Sequence, residues 1–120
     1  MIKNKPYQNL IAWQKAHLLV KMIYKATEEF PRAEQFGLVS QLRRAAISIP
    51  TNIVEGSLRG SKLEFRRFLR ISRASLGECE YLLELSKELG FINSDTYQEI
   101  EKVRKDTGAL LQGLILSMSR

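Results

Sequence analysis

One cysteine, one histidine and three prolines stand among 120 residues. With Cys79 alone, the chain can form no internal disulfide and no cysteine-rich metal site. His17 has no second histidine or cysteine at ligand spacing, so no metal centre is expected. Cys79 lacks a base partner at a spacing that would activate it, and it falls among apolar residues as a small buried hydrophobe. No paired acid and base and no nucleophile constellation appears. The expectation is a protein that is not an enzyme and takes no cofactor. No apolar run approaches the roughly 20 residues of a membrane span, and the opening MIKNKPYQNL has no apolar signal region. A cytoplasmic protein without a membrane partner is therefore expected. Seven glycines and three prolines leave little room for linkers, which fits one domain over residues 1–120 with a polar arm at 1–8.

What is present is helical spacing. Leu10, Trp13, Ala16, His17, Leu19, Val20, Ile23 and Tyr24 share one face of a first helix that begins near Asn9 and stops before Phe30-Pro31. A second helix is predicted from about Ala33 to Ser57, with Leu38, Leu42, Ala45, Ala46, Ile49 and Ile53 as its core face. Pro50 falls inside it, and because the periodicity continues through Ile53 a kink is expected rather than a stop. Asn52 and Ser48 are placed to satisfy backbone groups near that kink. Gly56 and Gly60 close the helix and make the turn. Ser61-Lys62-Leu63-Glu64 reads as a capping box opening a third helix. Its core face is Phe65, Phe68, Leu69, Ser72, Leu76, Cys79, Leu82, Leu83 and Leu89, and Gly90 suits its C′ position. Asn93 or Ser94 caps a fourth helix carrying Tyr97, Ile100, Val103, Thr107, Leu110, Leu111, Leu114 and Met118. No segment alternates with period two. Short connections between four helices predict an all-α, up-down-up-down antiparallel bundle.

Two further patterns concern function. Between Gln41 and Arg73 the chain carries Arg43, Arg44, Arg59, Lys62, Arg66, Arg67, Arg70 and Arg73 against only Glu55 and Glu64. That local excess equals the net +6 of the whole chain. Lys62, Arg66, Arg70 and Arg73 lie within about 80° on the third helix, and an antiparallel second helix is expected to bring Arg43 and Arg44 level with Arg70 and Arg73. The sign then reverses at Glu80, Glu84 and Glu88, an order opposed to that helix's own dipole. The stripe reads as a phosphate-binding surface for RNA or DNA, as bases paired with the acids of another subunit, or as a solvated face. Little aromatic interleaving means that base stacking is not indicated. Gly56 to Lys62 superficially resembles a phosphate loop, but its spacing is wrong and it follows a helix. The second pattern is apolar: Ile11, Leu18 and Met22 on the first helix, with Phe36, Ile47 and Val54 on the second, exceed what one core needs and are the candidate oligomer interface.

Ser40-Gln41-Leu42-Arg43-Arg44-Ala45, followed by Ser48-Ile49-Pro50-Thr51-Asn52-Ile53-Val54-Glu55-Gly56, resembles the small four-helix-bundle proteins encoded in intervening sequences of bacterial 23S ribosomal RNA genes, also labelled S23 ribosomal proteins. Trp13, Tyr24, Phe30-Pro31 with Glu34, Phe65 to Leu69 and Leu89-Gly90 extend the resemblance over about residues 7 to 118. Val54 departs from the alanine more usual there, a small packing change. The resemblance implies a homo-oligomer, a ring of five, and a similarity to the basic accessory protein of diversity-generating retroelements, which is thought to bind nucleic acid beside a reverse transcriptase. A protein partner of that polymerase kind is the alternative to nucleic acid.

Overall fold

The computed structural model describes residues 5–119. Four α-helices follow one another: α1 (Ile11–Thr27), α2 (Ser40–Ser57), α3 (Lys62–Glu88) and α4 (Ser94–Ser117). Among the described residues there is no strand. In the up-down bundle α1 packs on α2 and α4, and α3 on α2 and α4.

The helix ends follow local chemistry. Ser61 Oγ accepts from the Glu64 amide at 3.1 Å and so opens α3, but the Glu64 carboxylate pairs with Arg67 at 3.3 Å rather than completing the box. Gly90, at φ +79°, closes α3. Its amide donates to Lys87 and that of Phe91 to Ser86, which satisfies two orphan carbonyls. Asn93 Oδ1 accepts from the Thr96 amide at 2.8 Å to start α4.

Two starts differ from the sequence expectation. Asn9 ends a 3-10 turn over Pro6–Asn9, and α1 begins after Leu10 without a side-chain cap. Ahead of α2 the chain makes a 3-10 turn at Arg32–Glu34 and then a π-helical turn at Gln35–Val39, where Gly37 leaves helical dihedrals (φ −112°, ψ −105°). Glycine tolerates that excursion, so the regular helix starts only at Ser40.

Pro50 lies buried inside α2. It removes the donor for the Ala46 carbonyl. The next three carbonyls receive side-chain hydrogen bonds: Ile47 from Thr51 Oγ1 (2.7 Å), Ser48 from Asn52 Nδ2 (2.8 Å) and Ile49 from Ser72 Oγ of α3 (2.8 Å). Thr51 and Asn52 act within α2, whereas the Ser72 hydroxyl ties α2 to α3.

The expected α2 face is buried throughout, from Leu38 to Ile53. On α1, Ala12 joins the core while His17 is exposed. On α3, Leu82 is half-buried and Leu89 lies outside the core. Cys79 is fully buried, and burial pushes its thiol up to about 12. The thiol should therefore resist a thiol reagent at pH 8 in the folded protein and react on unfolding. Between its ordinary value of 9.0 and about 12, the unfolded chain releases this proton and the folded chain keeps it. The contribution of Cys79 to stability is thus complete below pH 9 and falls as pH rises through that window. Comparing alkaline unfolding of the parent with a Cys79→Ala variant checks the sign. A steeper alkaline loss without the thiol would contradict it.

Candidate nucleic-acid interface

Side-chain contacts set the helix register, and the register places the basic residues. Ser48 Oγ lies 2.8 Å from Ser75 Oγ, and Ser72 bonds Ile49. Four residues back from Ser48, Arg44 is therefore level with the Glu78–Cys79 step, about 8 Å along the axis beyond Arg73. The expectation that Arg43 and Arg44 come level with Arg70 and Arg73 is corrected by this register.

Arg43 is also occupied elsewhere. Its Nε donates to Thr27 Oγ1 (2.9 Å) and its Nη2 to the Tyr24 carbonyl (3.2 Å), with the guanidinium 4.3 Å from the Tyr24 ring centroid. It thereby satisfies a carbonyl in the last turn of α1 and locks α1 to α2. Arg44 is exposed.

The other six basic residues gather around the α2–α3 turn and the first half of α3. Arg59 pairs with Glu55 at 2.7 Å and lies over the Phe68 ring; Arg67 pairs with Glu64 and also lies near that ring. Both pairs are solvent-exposed and so worth little in stability. Arg73 donates to Gln112 Oε1 of α4 at 2.7 Å. Lys62 and Arg70 are exposed and Arg66 is half-buried. These three make no ion pair among the described residues.

The stripe lies on the α4 side of α3, because Arg73, Leu76 and Glu80 of that side touch Gln112, Gly108 and Arg104. By the same register Arg70 is level with about Ile115, and Arg66 with the end of α4. The basic order that opposes the dipole of α3 thus sits beside the negative, carbonyl end of α4.

Further along this seam the charge is handled differently. Arg104 donates two hydrogen bonds to Glu101, one at 2.9 Å, and one to Glu80 at 3.0 Å. Arg104 and Glu101 are both buried. The Glu101 hydrogen bond raises the Arg104 pKa above its usual value, although burial opposes it. The cluster was legible in principle, since Arg104 falls on the core stripe between Ile100 and Leu111.

Of the candidate interface residues, Ile11, Leu18, Phe36 and Ile47 are exposed, whereas Met22 packs against the core and Val54 is half-buried. Leu58 and Leu63, which flank the basic turn, are exposed too. Trp13 stacks on His17 with ring centroids 4.7 Å apart, and Tyr7 meets Trp13 edge-on at 5.1 Å. This aromatic group was missed as a group, although the i,i+4 spacing of Trp13 and His17 was visible. No described helix is long and apolar enough to cross a membrane.

A comparison with curated proteins returned no match. Among solved structures, one described as a protein of unknown function from the S23 ribosomal protein family of Bacteroides thetaiotaomicron is similar, with a TM-score of 0.78 and 26% identity over 88% of this chain and 98% of that one. The family model of the 23S rRNA-intervening sequence protein matches residues 8–113. With the bundle and the match covering nearly the same residues, the chain belongs to the 23S rRNA-intervening sequence protein family.

Proposed function

We propose that the chain is a non-enzymatic, self-associating module that binds the phosphate backbone of RNA or DNA through the basic surface at its α2–α3 end. The observation that carries this reading is the separation of charge along α3. From Lys62 to Arg73 the helix holds five basic residues and only Glu64; from Glu78 to Glu88 it holds four acidic residues and only Lys87. Lys62, Arg66 and Arg70 are left without an ion-pair partner among the described residues. Unpaired cations of one sign on one rigid helix suit a polyanion, and phosphate contacts position without reading bases.

Self-association is supported by the exposed apolar residues on two helices, and the family resemblance sets five copies as the expected number. Repeating a moderate basic surface in each copy raises the avidity for a long polyanion. Sedimentation that shows only a 13.8 kDa species at micromolar concentration would remove this part of the reading.

The test of binding is Arg66→Glu with Arg70→Glu. Affinity for structured RNA and duplex DNA should fall at least about tenfold near 0.1 M salt, and the log–log salt slope should shrink by about two, one for each phosphate that is no longer neutralised. Unchanged affinity in a variant that stays assembled would remove the assignment. Dissociation of the variant into monomers would instead favour pairing of this stripe with the Glu80, Glu84 and Glu88 half of another copy.

A further inference from the structure

Phe36 is a large apolar side chain that touches almost nothing: 92% of it is exposed. It is not on a loose tether. It sits in the π-helical turn Gln35–Val39, anchored by the buried Leu38 and Val39, and the Glu34 carboxylate accepts from the Leu38 amide.

At the same end of the bundle the chain has a groove of about 660 Å³. Its lining is mixed: Met22 of α1, Phe91 and Ile92 of the α3–α4 connection and Ile100 of α4 are apolar, and Lys25, Glu29 and Glu99 are among the polar side chains around them. Phe30 of the α1–α2 connection packs on Phe91 with ring centroids 5.7 Å apart, which places both connections at one level. The groove opens on the α4 side of α1. The contacts of Arg43 with Tyr24 and Thr27 mark the α2 side, and Phe36 belongs to the chain entering α2. Phe36 does not line the groove of its own subunit.

We propose that Phe36 of one copy seats in this groove of the next copy. The occupant is a second copy because knob and groove lie at one level on opposite flanks of α1, where a single chain cannot join them. Among charged residues the groove is lined by Glu29, Glu99 and Lys25, two acids to one base, and Arg32 and Glu34 precede the knob, with Glu34 held by the Leu38 amide. Arg32, Glu29 and Glu99 form no ion pair among the described residues, so a contact of Arg32 with the acids of the groove would fix register and steer encounter. Each copy offers a knob on one flank and a groove on the other, a head-to-tail contact of the kind that closes into a ring when its rotation permits. An aromatic ring packed on apolar side chains such as Met22, Phe91 and Ile92 within a polar rim is the usual form of an interface hot spot. The inference rests on the self-association proposed above and adds the residues that make it.

Two measurements test it. Phe36→Ala should weaken self-association on the order of 30-fold or more at each interface, the scale of a hot-spot truncation, with helicity unchanged because the ring supports nothing within the chain. Phe36→Cys combined with Thr96→Cys should give a ladder of covalently linked chains on mild oxidation, whereas either change alone should stop at dimers. Sedimentation of the parent separates the failures. If the parent is monomeric, self-association and this contact fall together. If it assembles but Phe36→Ala assembles equally well and no ladder forms, self-association stands, the knob-and-groove contact is overturned, and the groove is open to a different ligand.

Discussion

A Gly56→Leu variant should lose about 3 kcal/mol or more of stability, at the upper end of overpacking effects. At Gly56, α2 lies against Phe65 and Phe68 of α3 with no room for a side chain. A Cβ there would lie 2.8 Å from Phe68 Cβ, 3.0 Å from Phe65 Cδ1 and 3.2 Å from the Phe65 carbonyl oxygen. Two of those atoms are backbone or attached directly to it and cannot step aside. Gly56→Ala sets two effects against each other. Alanine gains about 1 kcal/mol as a helix former, and the crowding costs about 1–3 kcal/mol, so its net loss should be small or moderate. Leucine adds a branched side chain with no route out, and the loss should grow. Gly77 of α3 provides the control, because a Cβ there meets nothing within 4 Å. Gly77→Ala should be neutral or stabilise by up to about 1 kcal/mol. Urea unfolding at one fixed protein concentration reads all three through the midpoint. A leucine variant within about 0.5 kcal/mol of the parent would mean that the two helices are free to separate at this end.

Removing Arg104 should cost about 3–5 kcal/mol, because it strands the Glu101 carboxylate in the interior. The two-pronged contact with Glu101 supplies most of this, since both side chains are only 10% exposed. The Glu80 partner is half exposed and solvent screens its share. A triple comparison separates the pair from the penalty. Arg104→Ala alone should be severe, Glu101→Leu alone should also destabilise by leaving the guanidinium with only the half-exposed Glu80, and Arg104→Met with Glu101→Leu should return near the parent, since apolar replacements of a buried pair are often neutral. If the double variant is as unstable as the single one, the polar cluster itself, including the Arg104–Glu80 contact from α4 to α3, supplies stability that apolar packing does not replace.

The sequence spoke most clearly where a pattern repeats over many residues. Leu42, Ala45, Ala46, Ile49 and Ile53 recur at helical spacing, and every one is buried. Ser61, Gly90 and Asn93 mark helix ends by side-chain chemistry that needs no tertiary partner, and they stand where expected. The start of α2 was not legible, because the amphipathic pattern runs back through Phe36 while Gly37 leaves helical geometry. The same limit applies at the candidate interface. Arg43, Arg44 and Arg66 look alike as letters, but the contact of Arg43 with Thr27 shows that it anchors α1, the pairing of Ser48 with Ser75 places Arg44 further along the bundle, and Arg66 has no ion pair among the described residues. Register between helices is a property of contacts, and periodicity within one helix does not carry it. Arg104 is the opposite case. Its place on the core stripe was visible, yet charge argued for solvent until Glu101 and Glu80 supplied partners.

The opposite signs at the two halves of α3 have a consequence before anything touches the protein. They make the bundle an electric dipole lying along its length, so an approaching polyanion exerts a torque as well as an attraction. The molecule would turn its α2–α3 turn forward while still farther away than any hydrogen bond reaches. That steering fades over the Debye length, roughly 8 Å at physiological salt, and it acts on the rate of encounter more than on the lifetime of the complex. Neutralising Glu84 and Glu88, some distance from the basic stripe, would add attraction yet blunt the torque, so more collisions would arrive in the wrong orientation.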